Sequence, residues 1–515
     1  MKKRTRKILA SLLAVVMSVG LLASCGSSSS SSSSGSSSGT TSAATEIELG
    51  DTTLDISETV EIIMYVVSDE PAGQDTVMEN LNEILLEKLN CTLTINWIAW
   101  SDYSNKYPLL FSSGEEFDMI YTSTWLNWTQ LASKGAFMQL DDLWPTYAPD
   151  NYANTTEDAI AQATLEDGHI YVVPTQLATY TDYGPIYRTI FDDGQVYEGE
   201  ITDIESMEEY LAWVKENEPD LTPYDVYSEG SAMDDVWMYA NGYYVLKDLS
   251  GIYFNVYDED PQLITMYQYD GVTDFLEMMN RWNEAGYFSK SALADTDSTK
   301  TENGLAALKL HNIDTYVDLY VERPDWGFEY TCLTNPVSHL PYTQDAMAIS
   351  NTSQNPERAM ALWNLITTDQ EVYDAFYYGV LGTSYELDED GNFSITDSDL
   401  YSTNAMWAAR TSEFNRYQAG SPDDIADMKE EFEESIEDDD SAEKYTAFVI
   451  DTTEIETEYA AVQNVIQQYW KPLELGYTDM ESGLAEFQEK MEAAGIDTIL
   501  EVVQEQLDEY VAGLD

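Results

Sequence analysis

Val60-Glu61-Ile62-Ile63-Met64-Tyr65-Val66-Val67 opens the readable fold of this 515-residue chain. The run is mostly apolar at successive positions, the pattern of a strand covered on both faces. Beyond it Asp75 reads as a helix N-cap, and Val77, Leu81, Ile84, Leu85 and Leu89 recur at helical spacing. Thr92 to Ile98 alternate polar and apolar residues, a second strand. Tyr107 to Phe111 read as a short helix broken by Gly114, and Asp118-Met119-Ile120-Tyr121 as a third strand. Strand–helix–strand–helix–strand demands right-handed crossovers and a parallel sheet, so the expected class is α/β. Ligands of such sheets bind beyond the carboxyl ends of the strands. Here those ends are Ser68-Asp69-Glu70, Trp97 to Trp100, and Thr122-Ser123-Thr124-Trp125, two of which carry tryptophan.

Upstream of the first strand the chain changes character. Lys2, Lys3, Arg4, Arg6 and Lys7 form a basic head, Ile8 to Leu22 a greasy run, and Leu22-Ala23-Ser24-Cys25 a small-residue junction followed by unbroken serine from Ser27 to Ser34. This is the layout of an export signal, and the greasy run is shorter than the roughly 20 residues a membrane-spanning helix needs. The junction resembles a bacterial lipobox. The resemblance implies a signal peptide over 1–24, a diacylated Cys25, and a Ser/Gly-rich tether over 25–58 holding a body outside the cell membrane of a Gram-positive-type bacterium.

Composition narrows the partners. Against 23 basic residues stand 95 acidic ones, a formal charge of −72, and such a surface repels nucleic acid and anionic headgroups. At 43% hydrophobic and 12% aromatic the body can still bury large cores, more than one by length. Contact with the membrane is expected through the lipid alone. Beyond Cys25 only Cys91 and Cys332 remain; two reduced thiols are favoured over one long-range disulfide. The histidines His169, His311 and His339 are scattered, no Cys/His spacing suits zinc, and neither metal nor cofactor is expected.

Further landmarks carry a likeness. Gly114-Glu115-Glu116-Phe117-Asp118-Met119-Ile120-Tyr121, Gly135-Ala136-Phe137-Met138-Gln139-Leu140-Asp141-Asp142-Leu143, Asp167 to Pro174, Asn355-Pro356-Glu357-Arg358-Ala359-Met360 and Glu458 to Val462 follow one another in order. Together they resemble the extracellular solute-binding lipoproteins of ABC importers, in the carbohydrate-type branch related to maltose-binding proteins, over roughly 60–515. The resemblance implies a two-lobe periplasmic-binding-protein-like fold of type II, its hinge crossed more than once. Lobe one would comprise 59–175 and 343–383, lobe two 176–342 and 384–515. It implies a monomeric, non-enzymatic receptor that hands a neutral oligosaccharide to the transmembrane permease subunits of an ABC transporter.

A neutral sugar needs flat rings for its C–H faces and a few fixed polar groups for its hydroxyls. The candidates are Trp125, Thr124 and Ser123 on the third tip, Trp100 on the second, Asp69 on the first, Gln176 at the hinge entry, Gln344 and Asp345 at the return crossing, and Trp407. Asp102 is a weaker candidate. Tyr183, Tyr187, Trp237, Trp282 and Trp326 read as packing. Arg188, Arg281, Arg323, Arg358, Arg410 and Arg416 are isolated in sequence, so no cationic clamp for a phosphate, sulfate or uronate is visible. A non-transport glycan-binding surface lipoprotein is the alternative, and a glycoside hydrolase a weaker one, since carboxylates are a background here and no nucleophile elbow is present. Glu386, Asp388, Asp390, Gly391 and Asp397 mimic a calcium loop but read better as a hairpin turn at Asp390-Gly391.

Overall fold

The computed structural model describes residues 45–514 apart from 101, 229, 247–248, 397–400 and 402–405. The signal segment, Cys25, most of the expected tether and Asp397 lie outside the described residues. From residue 45 onward the described residues form one compact unit.

It begins with a hairpin, β1 (Glu46–Leu49) and β2 (Thr52–Asp55), turned at Gly50 with φ of 55°. Leu49 and Ile56 are buried in the first core, and the Arg358 guanidinium donates to the Asp55 carbonyl at 2.6 Å. The expectation of a tether running to 58 is therefore corrected. Ile47, Leu49 and Leu54 carry enough apolar surface to dock once the sheet beneath them exists.

β3 (Val60–Val67), β4 (Cys91–Ile98) and β5 (Met119–Thr122) are parallel, β3 lying in the middle. Ile62, Met64 and Val66 are wholly buried while Ile63 and Tyr65 are half-buried, so both faces are covered, unequally. The helix Gln74–Lys88 is capped at Gly73, and Asp75 sits in its first turn instead, where its charge complements the helix dipole. The helix Tyr103–Ser113 ends at Gly114, whose φ of 73° suits a residue without Cβ.

After β6 (Val172–Pro174) the chain leaves this sheet. β7 (Gly184–Arg188), β8 (Thr222–Tyr224), a meander of β9 (Tyr243–Val245), β10 (Ile252–Asn255) and β11 (Ile264–Thr265), then β12 (Ala306–His311) and β13 (Phe328–Tyr330) build the second lobe. Its main sheet runs β13-β7-β12-β8, with β12 and β8 parallel. The chain then returns, and β14 (Ala346–Ile349) inserts antiparallel between β5 and β6, giving the order β4-β3-β5-β14-β6. The next helix, Pro356–Thr368, starts with proline behind Asn355 as read, and buries Met360, Trp363 and Ile366. A hairpin of β15 (Tyr385–Leu387) and β16 (Phe393–Ile395) follows, with Gly391 at φ of 87°.

The division of the cores corrects one boundary. Tyr385, Phe393, Tyr401, Met406, Ala409 and Phe414 pack in the first core, although the second lobe was expected to resume at 384. The Tyr385 and Phe393 rings lie 5.5 and 4.8 Å from that of Tyr378, and this aromatic stack holds the hairpin on the first lobe. The change-over comes before Ile425, which packs with Ile186, Tyr316 and Phe328 of the second lobe. Cys91 and Cys332 are free thiols, one in each lobe.

Candidate functional site

Among the described residues three stretches of chain connect the lobes, and they are bonded to one another. Thr181 donates its amide to the Ser338 carbonyl and Leu340 to that of Thr179, both at 2.7 Å; Thr175 donates to Asp345 at 2.8 Å. The third stretch joins them where the Gln176 amide reaches the Arg410 carbonyl at 3.3 Å.

Above this seam the strand tips converge. The Trp100 ring lies 5.9 Å from Trp125 and 6.1 Å from Trp407, in tilted arrangements. Tyr103 meets Trp125 edge-on at 5.6 Å, and Tyr121 lies 6.0 Å from Trp125 and 5.9 Å from Trp407. Trp100 is 40% exposed, against a core whose large rings are almost wholly covered. Trp125 and Trp407 are half-buried. Three indoles from segments far apart in sequence thus form one partly open aromatic floor. Trp100 owes its place to the end of β4, Trp125 to a single helical turn after β5, and Trp407 to the third crossing.

The polar candidates behave differently. Ser123 Oγ donates to the Gln344 carbonyl and Thr124 Oγ1 to Gln344 Oε1, each at 2.5 Å. These hydroxyls weld the third tip to the return crossing. Asp345 is buried, accepting from the Tyr121 hydroxyl at 2.6 Å and from Arg410 Nη2 at 3.1 Å. Burial pushes its carboxyl up from the ordinary value, while Arg410 and the Tyr121 hydroxyl pull it back. The Gln176 side-chain amide is already engaged, donating to the Asn151 carbonyl at 2.9 Å and to Thr155 Oγ1 at 3.3 Å. Asp69 is exposed at its tip, and Asp102 precedes the helix Tyr103–Ser113 and pairs with Lys106 at 2.8 Å.

Residues that sequence reasoning passed over complete the site. Arg410, three positions beyond Trp407, reaches Asp314 in the second lobe at 3.4 Å, and Lys429 holds the other oxygen of Asp314 at 3.1 Å. Desolvation would raise Asp314, but Lys429 and Arg410 outweigh it and hold the carboxyl below its usual value. One turn along the same helix, desolvation and the charges of Asp314 and Glu322 push Asp318 up to about 7. Tyr377, from the first lobe, is pushed up to about 12 by burial and lies within the field of Arg410, Asp314 and Asp318. Arg410 and Lys429 are each therefore matched by a carboxylate.

Elsewhere, Trp282 is core, while the Trp326 ring is covered by Arg188 at 4.2 Å. Tyr187 is buried, and Tyr183 stacks on Tyr239 at 6.0 Å. A cavity of about 70 Å³ between the lobes touches Thr124, Trp128, Tyr244, His339 and Tyr445. A larger concavity of about 710 Å³ lies on the second lobe alone, beside Trp237, among Glu205, Glu208, Glu209, Asp274 and Glu277. Its rim is carboxylates with Arg281 paired to Glu208 at 2.8 Å, and among the described residues it is lined by the second lobe alone, so it lacks what a two-lobe grip requires.

Known proteins share this plan. Residues 68–183 match the family described as bacterial extracellular solute-binding protein, and residues 444–512 a domain of unknown function, DUF3502. A carbohydrate ABC transporter substrate-binding protein of Streptococcus pneumoniae serotype 4 is 25% identical over 466 residues, 87% of this chain and 91% of that protein. Among solved structures, the N-glycan transport solute-binding protein of Streptococcus pneumoniae in complex with Man1GlcNAc superimposes with a TM-score of 0.70 at 21% identity, covering 88% of this chain and all of that one. The alginate-binding protein AlgQ2 gives 0.61 at 14% identity, covering 88% and 98%. The S. pneumoniae protein FusA in complex with kestose gives 0.58 at 15%, covering 88% and 100%. The resemblance to carbohydrate-type solute-binding proteins and the two-lobe α/β fold of type II are thereby shown, and each of these relatives is named as a binding protein.

Proposed function

We propose that this chain is an extracellular receptor that binds a neutral oligosaccharide and delivers it to the permease of an ABC transporter. The observation carrying this reading is the floor of Trp100, Trp125 and Trp407 beside the strand tips, in which the Trp100 ring lies 5.9 Å from Trp125 and 6.1 Å from Trp407. Indole faces suit the C–H patches of sugar rings. The 25% identical relative, named for carbohydrate transport and aligned over most of both chains, supports the delivery role. Neutrality of the ligand is supported by charge: Arg410 and Lys429 are already matched by Asp345 and Asp314, leaving, among the described residues, no free cation at this place to draw in a uronate or phosphate.

Binding is a population shift. The ligand-free protein samples open and closed forms, and ligand favours the closed one because it contacts both lobes only when the cleft is shut. An affinity near micromolar corresponds to about −8 kcal/mol, within reach of a few stacked rings and several hydroxyl bonds. Among the described residues no helix is long and apolar enough to cross a membrane. Anchoring is assigned to the lipid on Cys25, since two acyl chains hold stably.

Calorimetric titration with Man5GlcNAc, kestose and an oligouronate tests the ligand class. Binding of a neutral glycan is the expected result; tight binding of the oligouronate alone overturns it.

A further inference from the structure

We propose that Arg410 is the latch between the lobes: its two-sided pairing ties closure of the cleft to the aromatic floor. The inference rests on the reading above for its purpose, but its geometry stands apart from any ligand.

One guanidinium joins groups from separate parts of the molecule. Its Nη2 faces Asp345 of the return crossing, whose other oxygen takes the hydroxyl of Tyr121, and Tyr121 in turn touches both Trp125 and Trp407. Its Nη1 faces Asp314 on the helix Ile313–Glu322, which packs in the second lobe. The backbone carbonyl of Arg410 accepts from Gln176 and from Thr175 Oγ1 of the first crossing, both at 3.3 Å. All three crossings therefore meet at this residue.

The two halves of the pairing are unequal. Arg410 and Asp345 are 11% and 8% exposed, a buried bond. Asp314 is 43% exposed and stands farther off, at 3.4 Å against 3.1 Å. A buried pair is costly to separate because each charge would be left without its partner, whereas a solvated one exchanges readily with water. The Asp314 side is the one that can let go when the lobes part, while the Asp345 side keeps the guanidinium registered under Tyr121 and the indoles. Lys429 stays with Asp314 inside the second lobe, so the carboxylate is not orphaned in the open form.

The test uses Asp314→Asn, because Asp314 is partly solvated and its loss leaves the buried Arg410–Asp345 bond intact. Small-angle scattering of the ligand-free protein at low salt is expected to give a radius of gyration larger than wild type by on the order of 1 Å. Asp314→Glu should restore the wild-type value, and Lys429→Gln, which removes a pairing within one lobe, should leave it unchanged. Raising the salt should move wild type toward the Asp314→Asn value. Where wild type binds Man5GlcNAc, the variant should bind it about two- to fivefold more weakly. An unchanged radius in Asp314→Asn, or equal opening in Lys429→Gln, overturns the latch. Failure of every glycan to bind wild type would sink the proposed function and leave the scattering result to stand or fall alone.

Discussion

Single side chains at the floor divide into those that present a surface and those that hold it. Trp125 presents: it is half-buried, touched edge-on by Tyr103 and backed by Tyr121. Trp125→Ala is expected to weaken glycan binding roughly tenfold, the scale of about 1.4 kcal/mol for one stacking contact, with the melting temperature nearly unchanged. Calorimetry alongside thermal denaturation checks both halves; wild-type affinity in the variant would remove the ring from the site. Tyr121 holds. Its buried hydroxyl donates to Asp345, and burial with that carboxylate raises its pKa well above the ordinary value, so it stays a donor at any working pH. The indoles at the tips of β4 and β5 were legible in the sequence, because strand–helix alternation fixes where a tip lies. The direction of a polar side chain was not. Thr124 bonds Gln344 across a sequence separation of 220, and no local pattern carries that information.

At the scale of elements, the seam between crossings contains a titrating group. His339 sits in the return crossing, bridged to Tyr180 of the first, with its ring 5.4 Å from that of Tyr180. Its Nδ1 lies 3.0 Å from Glu443 and its Nε2 3.3 Å from Glu433, and the Tyr180 hydroxyl donates to the same Glu433 at 2.6 Å. Burial alone would lower the imidazole pKa, but Glu443 and Glu433 outweigh it and hold it above 6.5. A raised folded-state pKa means that the stabilisation is complete below the unfolded value and disappears as pH rises through the folded one. Melting temperatures scanned upward from about pH 6 should therefore fall by a component that His339→Gln lacks. Identical pH profiles for the two proteins would show that the two carboxylates do not hold the ring charged. The alternation that revealed β3, β4 and β5 did not reveal β1 and β2, because short polar-rich strands acquire meaning only from the core they dock on.

At the scale of the molecule, the motif order read in the sequence corresponds to a real architecture: one sheet built from β3 to β6 and completed by the returning β14. What the sequence hid was how segments remote along the chain share a core, as with Tyr385 and Phe393 on the first lobe. The C-terminal stretch shows the same principle on a larger scale. Ile455, Val462, Trp470, Leu473, Phe487 and Met491 pack among Phe275, Leu276 and Trp282, and the last helix, Ile496–Gly513, adds Ile496, Ile499, Val503 and Leu507. Trp470 stacks on Phe275 at 6.1 Å, and its indole nitrogen donates to buried Asp234 at 2.9 Å, where Lys471 also pairs at 3.3 Å. Removing one such large side chain from a core costs about 2–5 kcal/mol, against a total stability of about 5–15 kcal/mol. A chain ending at Glu443 loses all of them together and leaves Asp234 buried without its cation. The second lobe of that truncated protein is expected not to fold, while the first lobe, whose core receives nothing from this stretch, keeps its structure. Limited proteolysis should then yield protected fragments from 46–175 and 346–414 with rapid digestion of the remainder. Equal protection of both lobes in the truncated chain would show that the second core is complete without its last helices.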